Sequence, residues 1–369
     1  MENNNDILVG LVGQNLGILG PLNPEQMDAQ ETEQTTSPSS AALAPPPKRQ
    51  KTSNSSASSS SSSIAVAPIF SSIRNINKVP VEVWKEHICQ KFLNLTELSI
   101  LRRCHTFFET YWQNVMAQNM IRVPQGCPTV AKAMDLAVIF SARKEYTTDD
   151  PLKIRLEEGV HEIVGNGKVL NVTCSHITFV GKGKDHTTIR GGFKVHNQQN
   201  VKFEELAITN QYHEFGQGLR LEGSETNVDV LKCVVKECGW TGISVRSGAT
   251  VTATQCEFME NGGSGVACFN ANTKARLNDC QVHHNERDGL SAYDHAVVDL
   301  YGTRTDIHSN KRDGIVASRR TKVNIHLPSQ HNTSHDNVGE DRSIDGGSIA
   351  NINADGTFTH VVADDNDDY

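Results

Sequence analysis

Five short runs decide how this chain folds: Gly218-Leu219-Arg220-Leu221, Gly242-Ile243-Ser244-Val245, Gly265-Val266-Ala267-Cys268, Gly289-Leu290-Ser291-Ala292 and Gly314-Ile315-Val316-Ala317. Their glycines stand 24, 23, 24 and 25 residues apart. Self-similarity at such a period is the mark of a solenoid, in which one supersecondary unit stacks on the next. The first and third positions after each glycine are apolar or small. Arg220, Ser244, Ala267, Ser291 and Val316 point the other way, so each run reads as a strand with one buried face.

A second column in the same repeats holds Cys233, Cys256, Cys280 and Thr305, followed two residues on by Val235, Phe258, Val282 and Ile307, and it also reads as core. Five residues beyond stand Cys238, Asn261, Asn285 and Asn310, each four residues before the next glycine. Asparagine tolerates the left-handed turn, and stacked amides can bond from rung to rung. Rungs about 4.8 Å apart turn such columns into ladders. A propeller blade would need roughly 40 residues, and a leucine-rich repeat its own asparagine-leucine signature. The reading is therefore a mainly β chain, a single-stranded right-handed parallel β-helix with rungs of 23–25 residues over 150–355.

Earlier strand-like runs lie at 153–156, 157–159, 169–172, 177–181, 187–190 and 201–209. Before them, Pro128-Thr129 starts a helix with Val130, Ala133, Met134, Ala137, Val138 and Phe140 on its buried side, so 126–149 reads as a capping helix and linker. After Gly314 the register loosens through Leu327-Pro328 and 331–337, although Gly339 falls 25 residues on, as in a terminal cap. Residues 356–369 read as an acidic tail.

Residues 1–72, rich in Ser, Asn, Gln and Pro, are too polar to offset the entropy of ordering and read as disordered. Within them Pro45-Pro46-Pro47-Lys48-Arg49-Gln50-Lys51 resembles a short nuclear-import signal carried by Lys48, Arg49 and Lys51. The apolar run 7–12 has no cationic stretch before it, unlike a signal peptide, and no window reaches the ~20 apolar residues of a membrane span. Nine cysteines, several of them in core columns and none in a C-x-x-C pair, suit reduced thiols rather than zinc. The expected location is nucleus, cytoplasm or both. A net charge of −8 gives no general attraction to nucleic acid or membrane, and no cofactor or metal is expected.

From 78 to 118 apolar residues recur at three- and four-residue intervals, as in three short helices. Val79-Pro80-Val81-Glu82-Val83, then Ile88, Phe92-Leu93, Leu98, and Leu101-Arg102-Arg103-Cys104-His105-Thr106-Phe107, closing with Trp112, resemble an F-box, with valine for the usual first leucine and Thr96-Glu97 where an aspartate is common. This places an F-box-like helical domain at 73–125. The glycine-led rungs resemble the parallel β-helices of carbohydrate-binding proteins and sugar hydrolases. An F-box followed by a β-helix is similar to a class of ubiquitin-ligase substrate receptors, although the zinc finger that some of these carry is missing. The resemblance implies that Pro80, Val83, Ile88, Leu93, Leu101 and Phe107 dock a Skp-type adaptor and its cullin complex, and that the β-helix holds a target protein. The alternative is a β-helix protein that binds or modifies polysaccharide.

Catalytic candidates are weaker. Asp288 and Asp313 occupy one place on adjacent rungs, at the ~5 Å spacing of a retaining carboxylate pair, but Arg287 and Arg312 beside them should keep both ionised, and no catalytic residue is assigned. Tyr293-Asp294-His295 is similar to the acid–histidine motif of mannuronan epimerases over three residues only. His283 and His308 stack outward and read as solvated. The expected binding ledge is Phe269 and Tyr293, flanked by Arg246, with Asp294 at the adjoining turn.

Overall fold

The computed structural model describes residues 117–212, 216–326 and 333–361. The import-like cluster (Lys48, Arg49, Lys51) and the F-box-like residues Pro80, Val83, Ile88, Leu93, Leu101 and Phe107 lie outside them.

The described chain winds through three sheets. Sheet C takes the glycine-led strands Gly192–His196, Leu219–Glu222, Ile243–Arg246, Val266–Phe269, Leu290–Tyr293 and Ile315–Ser318, with Val169–Val172 before them and Arg342–Asp345 after, all parallel. The expected columns are the observed register, with Leu219 beside Ile243, Val266, Leu290 and Ile315 in turn. Sheet B, also of eight strands, carries the cysteine column at its entrance, and Cys233, Cys256, Cys280 and Thr305 are all buried.

The third side was not picked out as a column in the sequence. Sheet A has eleven strands, among them Asn227–Leu231, Thr250–Thr254, Lys274–Asn278, Val297–Tyr301 and Lys322–His326. Each buries its second and fourth residues. Sheet A also begins earlier than the expected start near 150: Met120–Val123 pairs with Leu152–Leu156, inside the span read as purely helical. Four residues ahead of a proline are too few to show an alternation. At the other end Phe358–Val361 runs antiparallel to Ser348–Ile352, so part of the expected tail belongs to the sheet.

The helix Val130–Ser141 starts at Thr129, whose hydroxyl accepts from the Lys132 amide at 3.2 Å. It joins the core through Val130, Ala133, Met134, Leu136, Ala137 and Phe140. Val138, expected on the buried side, is 45% exposed, and Leu136 takes its place. Within the first rungs Phe179 and Phe203 stack with ring centres 5.1 Å apart, and Phe193 leans on both.

The asparagine column forms an amide ladder. Asn261 donates from Nδ2 to Oδ1 of Asn285, Asn285 to Asn310, and Asn310 to Asn337, each at 2.9 Å. The left-handed residue is the one before each asparagine, namely Glu260, His284 and Ser309 at φ 54°, 56° and 56°. The column is therefore held by amide bonding and not by the asparagines' own tolerance of that conformation. The ladder also explains the glycines: a Cβ on Gly289 would stand 2.4 Å from Cγ2 of Ile307 and 2.7 Å from Nδ2 of Asn310. Gly339 is not the next member of that series, because Ile315 pairs with Arg342 and Gly339 falls in the turn against Arg312.

Candidate binding face

Outward-pointing positions of sheet C form a face along the helix axis, a trough in the sense that a column of small side chains runs between two columns of larger ones. Its floor is the column Ser244, Ala267, Ser291 and Val316, at most 8% exposed although these residues face away from the core. Small side chains flanked by larger ones are covered by the walls. One wall is the column two residues on: His196, Glu222, Arg246, Phe269 and Tyr293. The other is built from the turn before each glycine and includes Trp240, Arg287, Asp288 and Arg312.

Three of the four residues expected to bind are in contact. The Phe269 and Tyr293 rings stack with centres 5.5 Å apart and planes 10° apart. The Arg246 guanidinium carbon lies 5.2 Å from the Phe269 ring centre, within cation–π range. Asp294 stands apart in the turn toward sheet A, 3.4 Å from Arg319, with left-handed backbone like its neighbour His295. The turn thus carries Asp294 and His295 off the strand on which Tyr293 faces the trough.

The trough is electrically graded. At its basic end Glu222 takes Arg220 at 2.6 Å, Lys194 at 3.1 Å and Arg246 at 3.9 Å. Burial alone would raise the Glu222 carboxyl, but hydrogen bonds from Arg220 and Lys194 outweigh it and hold it below the usual range. Three cations around one carboxylate leave an excess of positive charge there.

At Asp288 burial works against the arginines that were expected to keep it ionised. Its side chain is 5% exposed, and burial, the largest influence on it, raises its carboxyl above the ordinary range, more than Arg312 lowers it. Arg312 Nε is 3.8 Å from Oδ1, an ion-pair distance but too long for a hydrogen bond, and Oδ1 has no hydrogen-bond partner. Oδ2 accepts from Ser264 Oγ at 3.4 Å, and Ser264 in turn accepts from Ser291 Oγ on the trough floor at 3.0 Å.

Arg287 lies 4.3 Å from the Trp240 ring centre, reaching across the intervening rung, where Gly263 has no side chain to obstruct it. Aligning the residues two before each glycine would have shown this pair. On sheet B, His283, expected to be solvated, is 9% exposed and bonds Glu257 at 3.1 Å, while its ring stacks on His308 at 5.0 Å. Among the described residues no cluster of three or more His, Cys, Asp or Glu is arranged to hold a metal ion. A separate recess of about 290 Å³ on sheet B is lined by Lys168, Arg190 and Lys236 among others, but Arg190 already pairs with Glu162 and Lys236 with Glu237.

Among the described residues, fold and face together form a β-helix that carries a graded, aromatic-walled trough. Residues 159–329 match the family model described as the right handed beta helix region, and the described residues of this stretch form a right-handed parallel β-helix. No curated protein matches the chain. Among solved structures it is similar to the Agl-KA catalytic domain, at 17% identity over 62% of this chain and 48% of that one, with a TM-score of 0.40. It thus spans about half of that domain. Pectin methylesterase from carrot is 12% identical over 62% of this chain and 82% of that one, at a TM-score of 0.37. The A-module of Azotobacter vinelandii mannuronan C-5 epimerase AlgE4 is 13% identical over 60% and 92%, at 0.25. At these identities the likeness concerns the fold alone.

Proposed function

We propose that this chain binds polysaccharide along the sheet C trough. The observation that carries the reading is the stacked Phe269–Tyr293 pair with Arg246 against it, bordering a floor of small side chains. A pyranose ring has an apolar C–H face and a rim of hydroxyls. Stacked aromatic rings suit the first, and the Glu222–Arg220–Lys194 cluster suits the second. The trough follows the helix axis, as an extended polymer requires. Affinity electrophoresis of the full chain through gels containing polygalacturonate, polymannuronate or laminarin tests this. Retardation is expected in at least one gel, and Phe269→Ala with Tyr293→Ala should weaken it tenfold or more, on the order of 1–2 kcal/mol per lost ring contact, without altering the melt. Free migration in all three gels would remove the reading.

The F-box-like segment at 79–112 supports a second reading, which we also propose: a nuclear or cytosolic substrate receptor of a Skp–cullin–F-box ubiquitin ligase, with a target protein on the same trough. Arginine and aromatic side chains are the types most enriched at protein hot spots. The full chain should then capture a Skp-type adaptor, and Leu101→Asp should abolish capture while the β-helix melt is unchanged. No capture by the wild-type chain would exclude this role.

A further inference from the structure

A carboxyl that is buried, short of partners and set beside a binding trough calls for an explanation, since nearly all such groups are satisfied. Asp288 is one: its Oδ1 lacks a hydrogen-bond partner, while the carboxyl is held by Ser264 Oγ at 3.4 Å from Oδ2 and by the Asp313 backbone amide. The hydroxyl relay from Ser291 through Ser264 places this carboxyl at the edge of the trough floor, on the rung that carries Tyr293. The phenol of Tyr293 is pushed up first by burial and then by the Asp288 charge, so the two groups sense each other. Arg312 Nε stands 3.8 Å from Oδ1, and its side chain is 59% exposed and belongs to the surface, where rotamers change in picoseconds to nanoseconds.

We propose that Asp288 is a specificity-determining residue of the trough: the Arg312 side chain swings out, and the carboxyl, carrying its proton on Oδ1, donates to a ring or hydroxyl oxygen of the bound sugar chain. The inference rests on the polysaccharide reading. The charged and titratable groups facing Asp288 are Tyr293 and Arg287 on its own rung and Arg312 and Asp313 on the next. The preceding rung offers only Ser264 and Gly263. His196 stands on the same wall but four rungs away.

Binding removes the remaining water and the Arg312 charge from a carboxyl that burial already raises, so the bound state favours the protonated form further. By linkage, affinity should rise as pH falls. The retardation experiment with polygalacturonate, polymannuronate and laminarin is therefore repeated on the full chain from pH 8 to pH 5, where none of these polymers titrates. Wild type should tighten severalfold across that range. Asp288→Asn should lose this tightening, and Asp288→Ala should bind about tenfold more weakly at pH 5.

Folding of the variants is checked by melting. A raised aspartate costs the native state stability above its unfolded value, so Asp288→Asn should melt no lower than wild type at neutral pH, with any gain fading on acidification. Matching pH profiles for wild type and Asp288→Asn would overturn this inference alone. Absence of binding to every polymer would overturn the polysaccharide reading together with it.

Discussion

Val266→Asp is expected to abolish the folded β-helix. Val266 is fully buried, pairing in register with Ile243 on one side and Leu290 on the other, in a core column with no polar partner. An unpaired carboxylate there loses its hydration and gains nothing in exchange. The cost exceeds about 4 kcal/mol, against the roughly 5–15 kcal/mol that holds a domain together. Because each rung of a solenoid leans on its neighbours, the damage spreads in both directions. Circular dichroism should show loss of the cooperative thermal transition. Arg287→Ala on the adjacent surface serves as the control, since it forfeits only the contact with Trp240, worth about 0.5–1 kcal/mol. Equal melts for the two variants would show that the inward and outward faces of sheet C have been exchanged.

Asn285→Ala should be the next most damaging change, for a different reason. The wild-type side chain is fully buried and works in both directions: Oδ1 accepts from the Asn261 amide nitrogen at 3.2 Å and from Asn261 Nδ2 at 2.9 Å. Nδ2 donates to the Phe258 carbonyl at 3.1 Å and to Asn310 Oδ1 at 2.9 Å. Alanine leaves these buried groups short of a partner, and each such loss costs about 1–3 kcal/mol, partly relieved if water enters. A total of about 3–5 kcal/mol is expected, read as a lower urea midpoint with little change in slope. A shift below about 1 kcal/mol would mean that the ladder is not a principal support of the turn.

The face is legible in the sequence to the extent that alternation and period decide it. Arg246, Phe269 and Tyr293 had to share one side of one sheet once the glycine columns were aligned, and the rings stack as that alignment requires. The Arg287–Trp240 pair was legible by the same means at another column. Asp288 was not, because its chemistry depends on how deeply a turn is buried. Two arginines nearby in sequence suggested a readily ionised group, whereas in space one of them is 3.8 Å away and burial raises the carboxyl by more than that charge lowers it.

By itself the sequence determined which residues face the core across five successive rungs, and with that the parallel register of sheet C, because a strand has a side-chain period of two and a rung a nearly constant length. Where that period fails, only the tertiary structure decided: that Met120–Val123 opens sheet A and Phe358–Val361 closes it, that Leu136 and not Val138 is buried, and that Ile315 pairs with Arg342 across a longer final turn. These outcomes depend on which surface a segment meets after the chain has coiled. A short strand, one side of a helix or a buried carboxyl leaves no periodic trace, and its place is set by packing and desolvation among residues far apart in sequence.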